Sequence, residues 1–102
     1  EPETLRIGDV RVDFTAQTAT KSDQPLALGT KELLMLRLLA REAGRIVTRE
    51  QFLDAVWGVN TYPTPRTVDN FISALRAKIE PDPKHPRHLL TAHGQGYQLI
   101  LS

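Results

Sequence analysis

The segment from Arg66 to Glu80 carries the residue types best suited to chemistry on another molecule. At about 100° per residue, Arg66, Asn70, Ser73, Ala74 and Ala77 fall on one face of a helix. An asparagine amide sets a donor beside an acceptor, the pattern that pairs with N6 and N7 of adenine in the DNA major groove, and an alanine methyl can meet a thymine methyl. Small side chains also let a helix backbone come close to another surface. Arg76 and Lys78 flank this face, where cations can reach phosphates. A solvated face built from good helix formers fits the same spacing, so both readings stand at this level. Further on, His93-Gly94-Gln95-Gly96 reads as a hairpin turn with His93 at or near the tip. Such a tip beside a groove-bound helix can enter the adjacent minor groove. A plain sheet-closing hairpin fits equally well.

Other chemistry finds little support. His85 and His88 lie three apart in a proline-interrupted loop, with no cysteine and no obvious third ligand, so no metal site is predicted. No glycine-rich phosphate loop and no nucleophile motif is present, which predicts neither an enzyme nor a cofactor. The 102 residues are 40% hydrophobic and 25% charged, the balance of an ordinary globular domain. The formal net charge of +1 does not by itself announce a nucleic-acid partner, although the chain leans acidic at its start and basic towards its end. No apolar run approaches the roughly 18 residues that span a membrane. The chain opens Glu1-Pro2-Glu3, without a signal peptide or an initiator Met, and has no cysteine. These features predict a cytoplasmic piece of a longer chain.

The helix that displays Asn70 needs a scaffold. Thr64-Pro65 supplies an N-cap and a proline at the first helical position. Val68, Ile72, Leu75 and Ile79 make a narrow inward stripe, and Pro81-Asp82-Pro83 stops the helix near Glu80. An earlier helix begins at Gly29 or Thr30 with Glu32 in its first turn, buries Leu33, Leu36, Ala40 and Ala43, and ends at Gly44. Thr48-Arg49-Glu50-Gln51 is a capping box that opens a second helix ending at Trp57-Gly58, with only Arg45-Ile46-Val47 between the two helices. Alternation in Leu5–Ile7 and Val10–Phe14 around Gly8-Asp9, then extended segments near Thr18–Thr20 and Gln24–Leu28, predict an antiparallel sheet of three or four strands. Residues 88–101 read as two strands around the glycine turn. The order of sheet, three helices and hairpin predicts one α+β domain across residues 1–102.

Three segments, "GRIVTREQFLDAVWG" (44–58), "RTVDNFISALRAKIE" (66–80) and "GQGYQL" (94–99), occur in order after the N-terminal sheet. With them the chain resembles the OmpR/PhoB-type winged-helix effector domain of two-component response regulators over essentially its whole length. The resemblance implies a winged helix-turn-helix: an N-terminal antiparallel sheet, three helices and a C-terminal β-hairpin wing. It implies sequence-specific double-stranded DNA binding for transcriptional regulation, with the third helix in the major groove and the wing at the minor groove. By position it assigns Asn70, Ser73 and Ala74 to bases or nearby phosphates, Arg49, Trp57, Arg66, Thr67 and Arg76 to the DNA backbone, and Thr91, His93 and Tyr97 to the wing's contacts. Lys78, from its place on the helix, joins the backbone set. For Trp57, packing against the protein is the competing reading.

The resemblance further implies a head-to-tail homodimer on direct repeats, a phosphorylated receiver domain and sensor kinase in the full-length protein, and contact with RNA polymerase through the 59–65 loop. The prolines of that loop fit a rigid turn equally well. Asp9, Asp13 and Asp23 are not read as phosphoacceptors. Where relatives often carry a basic residue, this chain has Ser73 or Ala74; where they often carry His it has Phe71, and in place of Arg it has His93. Losing those arginines removes bidentate guanine contacts and phosphate contacts, which predicts weaker binding per monomer. The alternatives are a winged-helix protein-interaction module, or the same DNA-binding domain in a one-component or membrane-anchored regulator.

Overall fold

The computed structural model describes residues 3–58 and 63–101. Strands β1 (Thr4–Ile7), β2 (Val10–Asp13), β3 (Thr18–Lys21) and β4 (Gln24–Pro25) form an antiparallel sheet in chain order. The alternation seen in the sequence sorts the two faces: Leu5, Ile7, Val10, Val12 and Ala19 are buried, whereas Arg6 and Arg11, paired across β1 and β2, are exposed. Ser22 and Asp23 both have positive φ, as a two-residue hairpin turn between Lys21 and Gln24 requires. The expected strand to Leu28 is shorter, Gln24–Pro25, with one further bond from Leu26 N–H to Ala19 O at 2.9 Å.

Helix α1 (Thr30–Arg41) is the central element, with Leu33, Met35, Leu36, Leu38 and Leu39 buried. Gly29 is its N-cap, and its N–H donates to Glu32 Oε1 at 2.8 Å. The helix ends earlier than expected. Ala43 is not on the inward stripe but exposed beyond the helix, with φ +51, followed by Gly44 at φ +87. Two successive left-handed residues cannot extend a right-handed helix. Helix α2 (Arg49–Phe52) opens with the expected reciprocal cap: Gln51 N–H donates to Thr48 Oγ1 at 3.1 Å and Thr48 N–H to Gln51 Oε1 at 2.8 Å. It then widens into a π-helical turn, Leu53–Trp57, closed by Gly58 N–H donating to Leu53 O at 3.0 Å. Helix α3 (Pro65–Ile79) buries its predicted stripe of Val68, Ile72, Leu75 and Ile79 to 1% exposure or less.

The C-terminal hairpin of β6 (Leu89–Ala92) and β7 (Gly96–Leu99) gains a third strand, β5 (Val47–Thr48), in the order β5-β7-β6. The linker between the first two helices therefore pairs with the wing instead of crossing as a plain loop. Gly96 makes this possible. A Cβ there would lie 2.1 Å from the Val47 carbonyl oxygen, so any side chain would push β7 off β5. The core fills the space between the two sheets and the helices, joining Leu5, Ile7 and Val10 to Phe52, the α3 stripe, Leu89 and Leu99.

Candidate nucleic-acid interface

Burying the α3 stripe turns the opposite face to solvent. Arg66, Asn70, Ser73, Ala74 and Ala77 are all exposed along it. At the helix start Thr67 is half-buried, and its Oγ1 accepts the Thr64 N–H at 3.2 Å, which closes the first turn. Beside the helix stands the wing. Its turn closes with Gln95 N–H donating to Ala92 O at 2.9 Å, Gly94 takes φ +76, and His93 is exposed at the tip.

Four of the other expected contact residues, Arg49, Arg76, Thr91 and Tyr97, do not stand apart as independent cations and hydroxyls. Arg49 and Tyr97 meet at Asp69, a residue absent from the sequence-based set. Asp69 Oδ1 accepts Arg49 Nε–H at 2.8 Å and the Tyr97 hydroxyl at 2.6 Å. The guanidinium carbons of Arg49 and Arg76 lie 5.7 and 5.6 Å from the Tyr97 ring centroid. Arg76 then reaches the wing itself, donating from Nε to Leu89 O at 3.0 Å and from a terminal nitrogen to Thr91 Oγ1 at 2.8 Å. Two sets of hydrogen bonds, Arg49–Asp69–Tyr97 and Arg76–Leu89–Thr91, thus tie helix α2, helix α3 and both wing strands together, with Arg76 over the Tyr97 ring between them.

The charges respond accordingly. Burial works against the Asp69 charge, but the hydrogen bonds from Arg49 and Tyr97, with the positive charges of Arg49 and Arg66, hold its carboxyl below the ordinary range. Burial pushes the Tyr97 phenol up, and its bond to the Asp69 carboxylate pushes it further. The bond to Asp69 and its charge raise the Arg49 guanidinium.

Two expected contact residues are placed differently. Tyr97 is 5% exposed and forms the base of the wing, because its ring packs near Phe52 at 6.5 Å between centroids. Lys78 points back to α1, where its Nζ donates to the buried Glu32 carboxylate at 2.7 Å. A nearly buried carboxylate needs such a partner, and this one draws Lys78 away from the outer face. Trp57 is half-buried and meets Phe71 edge to face, 5.1 Å between centroids at 87°. Residues 59–62 of the expected polymerase loop lie outside the described residues; Pro63 is half-buried, and Thr64 and Pro65 are exposed.

A second anchor, this one buried, also escaped the sequence. Glu80, 1% exposed, follows α3 and accepts the backbone N–H groups of Leu89 at 2.7 Å, Arg87 at 2.9 Å and His88 at 3.0 Å. Burial disfavours its charge, but these donors outweigh burial and hold the carboxyl below its usual range. Glu80 therefore fixes where β6 starts. His88 Nδ1 lies 3.2 Å from Ile100 O and His85 Nδ1 lies 2.9 Å from Asp82, so the two histidines turn to different partners. The available signals were Asp69, the lone acid of α3, and an acid directly before the Pro81 stop.

Residues 23–99 match the family described as "Transcriptional regulatory protein, C terminal". The Sensory transduction protein RegX3 of Mycolicibacterium smegmatis is 40% identical over 95 residues, covering 93% of this chain and 42% of that protein. The response regulator DrrB, a Thermotoga maritima OmpR/PhoB homolog, superposes with a TM-score of 0.86 at 35% identity, covering 97% of this chain and 45% of that one. The RstA DNA-binding domain of Klebsiella pneumoniae, solved in complex with the RstA box, superposes with a TM-score of 0.81 at 31% identity, covering 96% and 97%. The chain thus spans less than half the length of RegX3 and DrrB.

Proposed function

We propose a function from one premise: this chain belongs to the family of C-terminal domains of transcriptional regulatory proteins, and is an OmpR/PhoB-type effector domain that binds DNA. In the proposed complex α3 lies in the major groove with Asn70, Ser73 and Ala74 towards the bases, while Arg66, Thr67 and the remaining N–H groups of Arg49 and Arg76 meet phosphates. His93 and Thr91 bring the wing to the neighbouring minor groove. Trp57 contributes by bracing Phe71, and any backbone contact from its indole is secondary. The observation that carries this reading is the uncovered row Asn70, Ser73, Ala74 and Ala77 beside a wing locked to the same helix. A helix clothed in small residues can sit deep in a groove, and an adjoining pinned hairpin gives it a fixed second point of contact.

The proposal extends to the assembly. Two copies bind direct repeats head to tail, about 10–11 base pairs apart, one helical turn. The rest of the full-length protein supplies a receiver domain phosphorylated by a sensor kinase, the 59–65 loop meets RNA polymerase, and the protein works in the cytoplasm. Among the described residues no helix is long and apolar enough to cross a membrane. Selection from a random duplex library tests the reading. The expected product is a tandem repeat with helical-turn spacing, bound less tightly as salt rises. Recovery of no enriched sequence would count against it.

A further inference from the structure

We propose that Asp69 is a positioning residue, which sets the angle of the wing against α3 and so decides whether the wing tip reaches DNA while α3 is seated. The inference rests on the DNA-binding reading above and adds a residue that it does not contain. Asp69 and Arg76 are seven residues apart, so they lie within about 20° of each other on one edge of α3 and about 10 Å apart along it. Each grips the wing: Asp69 through the Tyr97 hydroxyl on β7, Arg76 through Leu89 O and Thr91 Oγ1 on β6. Two fastenings separated along one edge fix an orientation, which a single one does not.

Magnitudes favour orientation over stability as the role. The Arg49 and Asp69 side chains are 35% and 39% exposed, and an ion pair at such exposure adds little to stability. The geometric consequence is larger. The register sets Thr91 opposite Tyr97, so His93 lies two residues, about 7 Å, beyond the base of the wing. A tilt of about 10° at the base would therefore carry the tip through about 1 Å, more than the spread of about 0.5 Å in N–H···O hydrogen-bond lengths. Arg49 gains from the same acceptor. With Nε held by Asp69, its terminal N–H groups keep one direction. Arg49 and Tyr97 are thus held by one carboxylate, beside the fastening that Arg76 makes to Thr91.

The test is a double-mutant cycle on a selected duplex, pairing Asp69→Asn with His93→Ala. A repeat with Tyr97→Phe removes one hydroxyl and keeps the buried ring. It carries the test if Asp69→Asn fails to fold. In the unsubstituted protein His93→Ala should weaken binding about fivefold, and in either background by less than about twofold, because the tip is already out of reach. A purely structural role would lower the melting temperature and leave the His93 effect intact. Multiplying effects, or a His93→Ala change without effect in the unsubstituted protein, overturn the proposal while salt-dependent binding persists. Absence of any salt-dependent duplex binding overturns the DNA-binding reading itself, and this proposal with it.

Discussion

The outer face of α3 and its wing-side edge are built from opposite materials. The face carries Asn70, Ser73, Ala74 and Ala77, exposed and small or neutral, with Arg66 at its start. The edge carries Asp69 and Arg76, held by Tyr97, Leu89 O and Thr91. One helix thus separates reading from alignment: groups that must adapt to another molecule stay uncommitted, and the strongest donors fasten the wing. Residue type alone suggested that Arg76 also reaches outward, like Arg66. The edge teaches that an arginine can serve an interface by holding its architecture.

That contrast can be broken at the wing first. Gly96→Ala should have the largest effect, because its Cβ would meet the Val47 carbonyl at 2.1 Å and its φ is +155. A loss of about 3 kcal/mol or more, read as a drop in urea midpoint, is expected from overpacking with backbone strain. Unchanged stability would mean that β7 does not rest against β5 as described.

Next is Glu80→Gln, which keeps the shape but removes a charged acceptor from three backbone donors, and should cost about 2 kcal/mol. Its pH signature is more specific. The folded-state Glu80 carboxyl sits below its ordinary value, so its stabilisation is complete above the unfolded value of about 4.3 and is lost as pH falls through the folded value. Between about pH 6 and pH 3 the unsubstituted protein should lose more stability than the Glu80→Gln variant. Parallel curves would remove Glu80 from the account.

The smallest effect on stability belongs to the face. Arg66→Ala should change stability by less than about 0.5 kcal/mol yet flatten the slope of log affinity against log salt by about one unit. Arg76→Ala should weaken all sites alike and, because its nitrogens are engaged with the wing, change that slope less than Arg66→Ala does. Equal slope changes for the two would erase the distinction between face and edge.

How far this was legible in the sequence follows the range of the forces. The α3 stripe, the Thr48–Gln51 cap and the alternation in β1 and β2 depend on neighbours a few residues away, and periodicity reveals them. The β5–β7 pairing joins Val47 to Tyr97 and shows only as a glycine whose purpose is spatial. Asp69 lies 28 residues from Tyr97 and 20 from Arg49, so no local pattern marks it as their common acceptor. The Lys78–Glu32 pair was hidden for the same reason, since the two lie 46 residues apart. Helical position put Lys78 beside the outer face, but a buried carboxylate drew it inward.

The division between face and edge is tested most directly by Asn70→Ala, measured in parallel on the selected duplex and on random duplex of the same length. The account predicts a loss confined to the selected sequence, with one base position relaxed by about 1–3 kcal/mol of discrimination and random binding unchanged. An equal loss on both duplexes would mean that Asn70 helps to hold DNA without reading it, and would contradict the assignment of the outer face.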